Sequence, residues 1–333
     1  MKAIALISGG LDSILAAKLL KQEGIDIIPL YFKIPFFYSR QNGPAEQNLI
    51  PQILKHLGAE LKIIDAGDEF LRILEDPVHG YGSNMNPCID CKIMMLCKAK
   101  ELMEEFKAKF IVTGEVLGQR PMSQHKPALN LIERRAGLQG LILRPLSARR
   151  LAETLPEKEG WVSRDKLLDF SGRTRKPQIE LAKRLNIEDY PNPAGGCLLT
   201  DPAFSKRVKD LINHRELNSD NVELLKVGRH FRIQEQTKLV VGRNENENKQ
   251  LVNLAKDNDY LFEPTEEIAG PTALGRGIFD SALIGLSCNI VCRYCDLNDN
   301  KNTEIVYKKI PEEQNKRLEV LVIEERYLWS LRI

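Results

Sequence analysis

The sequence predicts an α/β fold, a doubly wound, mostly parallel sheet followed by a smaller C-terminal α+β domain. Three observations predict it. Short apolar runs alternate with apolar-periodic stretches at βαβ spacing through the first 150 residues, glycines mark the junctions, and short β-type alternation takes over after about residue 218. With 333 residues, 48 Lys+Arg, 46 Asp+Glu and 43% hydrophobic residues, the chain has the composition of about two globular domains. That excludes collagen, coiled coil and wholesale disorder.

Taken in order, the run AIALI at 3–7 ends in Ser-Gly-Gly, and the periodic stretch 13–22 stops at Gly24, which reads as strand, glycine turn, helix and glycine stop. IDIIPLYF at 25–32 is a second strand, 49–57 a helix stopped by Gly58, and LKIIDA at 61–66 a third strand. A helix over 94–106 and strands FIVTGEV at 110–116 and LILRPL at 141–146 complete the sheet, which places its ligand site at the carboxyl ends of the strands. Residues 173–185 read as a basic helix, and NPAGGC at 192–197 as a loop presenting one cysteine. Beyond it, LLKVGRHFRI, TKLVVGR, EVLVIEE and RYLWSLRI alternate like strands, with one helix over 245–256. The expected division is therefore 1–190, a connecting segment 191–217, and 218–333.

No run of about 18 apolar residues occurs, and MKAIALISGGLDS leads into a glycine turn rather than a signal-peptide cleavage site. A cytoplasmic protein with no membrane partner is expected. The seven cysteines are odd in number and clustered, which suits metal or sulfur chemistry better than a secreted disulfide framework. Net charge is +2 but uneven: residues 126–185 hold 14 Lys/Arg and 7 Asp/Glu (+7), whereas 218–333 hold 16 and 19 (−3). A polyanion should be gripped mainly by the middle of the chain.

Ser8-Gly9-Gly10-Leu11-Asp12-Ser13 lies between the first strand and first helix, where small residues let backbone N–H groups approach a phosphate and the helix dipole adds to the field. It lacks the Gly-Lys-Ser/Thr of a Walker loop and the third glycine of a dinucleotide fingerprint. The string SGGLDS resembles the pyrophosphatase loop of the PP-loop superfamily (adenine nucleotide alpha hydrolase-like), whose members cleave ATP to AMP and pyrophosphate. The resemblance implies that Ser8, Gly9, Gly10, Asp12 and Ser13 hold the pyrophosphate portion of ATP and its Mg2+. TGEVLGQRPMSQ at 113–124 resembles a motif of tRNA 4-thiouridine synthases, CIDCKIMM at 88–95 resembles the CxxCK segment of their archaeal type, and Arg144-Pro145-Leu146 matches a triplet of that family. This resemblance covers roughly residues 1–200. Asn86-Pro87 near a cysteine, with a later Gly-Cys, is also similar to tRNA 2-thiouridylases, so the atom thiolated stays open, with 4-thiouridine favoured.

The loop begins at residue 8, so the RNA-binding N-terminal domain of the bacterial 4-thiouridine synthases is expected to be missing and another part to hold tRNA. KVGRHFRI at 226–233, VVGRNENEN at 240–248 and Gly270-Pro271 resemble the RNA-binding domain of NFACT proteins, against the alternative of a small sheet domain used to form a homodimer. Arg134, Arg135, Arg149, Arg150, Arg173 and Arg175 are candidate phosphate contacts, because guanidinium groups pair well with phosphates.

Cys88 and Cys91 are spaced so that both thiolates can converge on one metal or cluster, and the loop carrying Cys197 can bring a third. Three ligands on a [4Fe–4S] cluster leave one iron open for sulfide, a reading supported by the resemblance to cluster-dependent tRNA thiolases. A cluster-free relay of persulfide and disulfide through Cys91 and Cys197, or structural zinc with a fourth ligand, are the alternatives. Cys288, Cys292 and Cys295 have radical-SAM spacing, but only 38 residues follow and they fall on one apolar helix face, so a buried stripe is favoured over a second metal site. Cys97 reads as a core residue.

The activity implied is ATP-dependent adenylation of a tRNA uridine carbonyl followed by sulfur insertion. Asp12 would orient magnesium, Lys92 would neutralise charge beside the thiols, and, by resemblance, Gly114, Gln119, Ser123 and Gln124 would shape the adenylate pocket. The sulfur would come from sulfide, a sulfur-carrier protein or a cysteine desulfurase. The rivals are a PP-loop ligase or sulfurtransferase acting on a small molecule, and a non-catalytic RNA-binding adaptor that has kept the fold.

Overall fold

The protein is described by a computed structural model over residues 1–37, 45–188, 190, 196–297 and 302–333. It divides into two compact units, Met1–Thr200 and Asp201–Ile333, so residues 201–217 of the expected connecting segment belong to the second.

The first unit runs β1 (Lys2–Leu6), α1 (Leu11–Gln22), β2 (Asp26–Lys33), α2 (Ala45–Leu57), β3 (Lys62–Asp65), α3 (Gly67–Glu75), α4 (Cys88–Glu105), β4 (Phe110–Thr113), α5 (Lys126–Ala136), β5 (Ile142–Leu143), α6 (Leu155–Lys158) and α7 (Lys176–Arg184). Its strands are all parallel in the order β3-β2-β1-β4-β5, with Leu6 beside Leu30 and Thr113. Strands are added on one side of β1 (β2, β3) and then on the other (β4, β5), so the topological switch point, where such sheets hold ligands, lies between the ends of β1 and β4. Side chains on alternate faces of β1 explain the two apolar layers. Ala3 and Ala5 join Ile14 and Leu20 of α1, Ile53 of α2 and Leu181 of α7 in one cluster, and Ile4, fully buried, faces the other way, toward α4.

Three sequence readings change here. The first thiol motif does not precede its helix: Cys88 and Cys91 occupy the first turn of α4, with Pro87 at the N-cap, six residues ahead of the expected start. The strand expected over 141–146 shrinks to Ile142–Leu143, because Arg144 turns inward to carboxylates and Pro145 has no N–H for a ladder. The strand expected to 116 stops at Thr113, where Gly114 passes against the backbone of α1.

The second unit contains α8 (Pro202–Asn213), α9 (Ser219–Leu225), β6 (Arg229–Gln234), β7 (Thr237–Val241), α10 (Glu245–Leu254), β8 (Tyr260–Pro264), β9 (Ala273–Gly277), α11 (Ser281–Cys292), β10 (Asn302–Lys309), β11 (Lys316–Leu321) and α12 (Glu325–Leu331). Its strands form an antiparallel sheet in the order β11-β10-β8-β9-β7-β6. One face packs Phe231, Leu239 and Phe262 against α11; the other packs Val240, Leu261 and Leu274 against Leu224 and Leu251 of α9 and α10. Cys288 and Cys292 are fully buried in the α11 layer, as the stripe reading expects, and Cys295 lies just beyond the helix against the same layer. RYLWSLRI, read as a strand, is instead the helix α12. Of that helix only Leu328 is buried while Tyr327 and Trp329 are 49% and 56% exposed, so the run of large residues does not reflect alternating burial. Among the described residues no helix is long and apolar enough to cross a membrane.

Candidate nucleotide and thiol site

The crevice beside β1 is built first by the glycine turn. Gly9 has φ +76°, a left-handed conformation that costs glycine little, and Gly10 caps α1 with extended backbone. A Cβ on Gly9 would meet nothing within 4 Å, so the turn is open on that side. Ser13 is buried and braces the turn: its hydroxyl donates to the Gly10 carbonyl at 2.8 Å and accepts from the Ser8 N–H at 3.2 Å. The free N–H groups at the start of α1 thus face a site suited to an anion.

Asp12, in the first turn of α1, points toward the loop after β4. Its Oδ2 accepts from Gln119 Nε2 at 2.8 Å and from the Arg175 guanidinium, and Gln119 Oε1 accepts from Gln178 Nε2 at 2.9 Å. Asp12 Oδ1, Ser123 Oγ, Gln124 Oε1 and Gln178 Oε1 are all buried without a partner. Such orphaned acceptors are rare in a folded protein and mark a place for donors or a cation. Gly114 supplies the fit: a Cβ there would lie 2.5 Å from Asp12 C and Ser13 N, so the end of β4 can touch the turn only as glycine. The loop closes on itself through the Gly118 N–H on the Gln124 carbonyl at 2.7 Å, and Gly172 N–H meets the Leu117 carbonyl at 2.8 Å, which carries Arg175 to Asp12.

One residue beyond Gly114, Glu115 is buried and accepts from Lys92, from Arg144 Nε at 2.9 Å and from Thr113 Oγ1 at 3.1 Å. Arg144 also pairs with Glu133. Although burial raises the carboxyl's pKa, the two cations outweigh it and hold Glu115 down to about 2. Lys92 follows Cys91, so this ion network ties the thiol-bearing turn of α4 to the end of β4.

Cys88, Cys91 and Cys197 lie near enough for the charge of one to act on the thiol of another. The chain around Cys197 is drawn in by the Leu198 N–H on the Phe36 carbonyl (2.9 Å), the Met85 N–H on the Leu199 carbonyl (3.2 Å) and the Asn84 side chain on the Thr200 carbonyl (2.8 Å). Residues 192–195 of the expected loop lie outside the described residues. Burial raises the Cys91 and Cys197 thiols, Cys197 to about 12, and neighbouring sulfurs add to the rise. Among the described residues no three His, Cys, Asp or Glu side chains stand ready-made as a metal site. The donor set of three thiols nonetheless has the soft character that iron–sulfur groups require. His79 flanks it, its Nδ1 2.7 Å from Asp90, which also accepts the His79 N–H at 2.9 Å. Cys97, half-buried, lies further along α4.

The remaining candidates separate. The sequence makes Arg175 a candidate RNA contact; in the structure it stands at the N-cap of α7 and its guanidinium pairs with Asp12. Arg134 and Arg135 are exposed in the last turn of α5; Arg149 and Arg150 are half-exposed, 3.7 and 3.9 Å from Asp169; Arg173 is exposed. His125 caps α5, accepting the Ala128 N–H at 3.3 Å. Sequence reasoning missed Gln178, Glu115 and Glu133, and gave Arg144 no role; the acid in TGEV beside the triplet arginine was the available signal.

Residues 1–150 match the family model described as thiamine biosynthesis protein (ThiI), and residues 228–330 the model described as NFACT protein RNA binding domain. A protein of Thermococcus kodakarensis named probable tRNA sulfurtransferase is 30% identical over 119 residues, 35% of this chain and 30% of that protein. The tRNA-specific 2-thiouridylase MnmA of a Nitratiruptor species is 32% identical over 119 residues, 34% of each chain. The chain thus matches about a third of the length of these relatives. Among solved structures, a 4-thiouridine synthetase–RNA complex with bound ATP aligns at TM-score 0.40 and 19% identity, over 68% of this chain and 52% of that one.

Proposed function

We propose, from the premise that residues 1–150 form a ThiI-family PP-loop domain and residues 228–330 an NFACT-type RNA-binding domain, that this protein is a tRNA uridine thiolase. The observation that carries the reading is the end of β4. Gly114 touches the phosphate turn and the adjacent Glu115 binds Lys92 beside the thiols, so an adenylated base and a sulfur donor would meet across two residues.

In this reading ATP lies over Ser8–Ser13 with pyrophosphate at the N-terminus of α1. A uridine carbonyl oxygen, O4 in preference to O2, attacks the α-phosphorus; the bond to pyrophosphate breaks, and sulfide later displaces AMP from the carbon, whereas a carrier persulfide would leave a disulfide-linked base that a second thiol must release by forming a disulfide with the carrier. Asp12 Oδ1, buried and unpaired, suits magnesium, and Arg175 and Gln119 fix its carboxylate. Cys88, Cys91 and Cys197 would hold a [4Fe–4S] cluster, which when bound supplies an open iron for sulfide. Burial raises the Cys91 and Cys197 thiols, so either the cluster or the cluster-free relay must first draw a proton from each.

The test is an anaerobic reaction of iron-reconstituted protein with unmodified tRNA, ATP, magnesium and sulfide, followed by nucleoside mass spectrometry that separates the thiouridine isomers. A thiolated uridine supports the reading and identifies the isomer. ATP cleavage without RNA and without a thiolated nucleoside would replace it with a ligase acting on a small molecule.

A further inference from the structure

The acidic second unit contains a concentrated positive cavity. Its volume is about 550 Å3, and Lys206, Arg207, Arg229, His230, Arg243 and Arg332 line it. They come from α8, β6, the turn after β7 and the end of α12, so only the fold assembles them. The start of α8 (Pro202 and Ala203) opens onto the same space.

The carboxylates nearby are already committed. Glu247 is bound by Arg243 at 2.9 Å, and Asp201 caps α8 by accepting the Phe204 N–H at 2.7 Å. Arg229 donates to the Gly242 carbonyl at 2.9 Å, lies 4.6 Å from the Tyr294 ring centroid and shares Glu247 with Arg243 only at a distance. Two polar atoms of the lining residues have no protein partner: Arg207 Nε and Nδ1 of His230, a residue only 1% exposed whose Nε2 is engaged by the Val227 carbonyl at 2.8 Å. Burial pushes both Arg207 and His230 below their ordinary pKa, and the cations around each add to it. The guanidinium groups of Arg207, Arg243 and Arg332 therefore crowd one space, and Asp201 and Glu247 offset them only in part.

We propose that this cavity binds a backbone phosphate of the RNA substrate, with a neighbouring base stacked on Trp329. The exposed Trp329 ring lies under the Arg332 guanidinium, 4.7 Å from it, and so extends the cationic site with an aromatic face. Cations that grip phosphate beside an aromatic platform are the means by which proteins hold single-stranded nucleic acid. The inference rests on the tRNA reading and assigns residues to its second unit.

The test uses the full chain with the double substitution Lys206→Glu and Arg332→Glu, both exposed side chains, checked by circular dichroism and thermal melting. Binding of an unmodified tRNA transcript is followed by fluorescence anisotropy from 50 to 300 mM KCl, alone and with inorganic phosphate as competitor. The expected result is at least tenfold weaker binding and a log–log salt slope shallower by about one to two. Should the wild type thiolate tRNA while the double variant binds it equally tightly with the same slope, this inference fails and the thiolase reading stands. Should the wild type neither bind nor thiolate tRNA, both fail. If inorganic phosphate alone is held, and lost in the variant, with tRNA affinity unchanged, the site takes free phosphate and the RNA assignment is overturned. A more conservative pair, Lys206→Gln and Arg332→Gln, should give the same direction with a smaller effect.

Discussion

Gln119 and Asp12, 107 positions apart, meet side chain to side chain at 2.8 Å, and Gln178 orients the glutamine from behind at 2.9 Å. The chain spends two buried amides on the posture of one carboxylate, leaving its other oxygen open. Gln119→Leu should raise KM for ATP in pyrophosphate-release assays by about tenfold, the worth of one charge-assisted hydrogen bond. Asp12→Asn should abolish pyrophosphate release while the melting temperature stays within a few degrees.

Gly114→Ala places a methyl group 2.5 Å from two backbone atoms of the phosphate turn, which cannot rotate away. The variant should lose roughly 1–3 kcal/mol in urea unfolding and at least tenfold in ATP cleavage. Wild-type kinetics would mean that the turn and the end of β4 need not touch during catalysis.

Glu115 makes acid stability a readout of the ion network. Its carboxyl lies near 2 when folded against an ordinary 4.5, so between those values the unfolded chain binds a proton that the folded chain does not. Its stabilisation is complete above about pH 4.5, falls as pH drops toward 2, and amounts to roughly 3 kcal/mol. Glu115→Gln should flatten that part of the pH–stability curve. At pH 7 it should cost about 3–5 kcal/mol, because Lys92 and Arg144 lose their shared anion.

Replacing Cys88, Cys91 or Cys197 by alanine should abolish iron-dependent absorbance and thiolation together. Cys292→Ala, in the α11 layer, should leave iron content unchanged and lower only the melting temperature. Full thiolation by iron-free protein would point back to the relay.

Arg149 and Arg150 form only long ion pairs with Asp169, and Arg150 Nε donates to the Asp169 carbonyl at 2.5 Å in an exposed setting, so their joint replacement by alanine should cost about 1 kcal/mol of stability. It should nevertheless flatten the salt dependence of tRNA binding by one to two in slope, if the middle of the chain carries phosphate contacts.

The parallel sheet was legible because β1, β2 and β4 are buried on both faces and read as unbroken apolar runs. The phosphate turn was legible because its glycines answer a backbone need that no tertiary contact can replace. The misreadings share one cause, a side chain that tertiary contacts redirect. Arg144 leaves β5 for Glu115, Arg175 leaves the surface for Asp12, and the large residues of α12 are exposed where alternation promised burial. The cavity of the second unit was illegible for another reason. Lys206, Arg229, Arg243 and Arg332 are scattered over more than 120 positions in an acidic stretch, and no local window contains them together.

The ion pair of Asp12 with Arg175 spans 163 positions, and its two ends emerge from a ribosome far apart in time. A nascent chain that has exposed β1 through β5 owns the phosphate turn and the first two thiols, yet its Asp12 still lacks the guanidinium that fixes it. The posture of that carboxylate is therefore set only when synthesis has passed the middle of the chain.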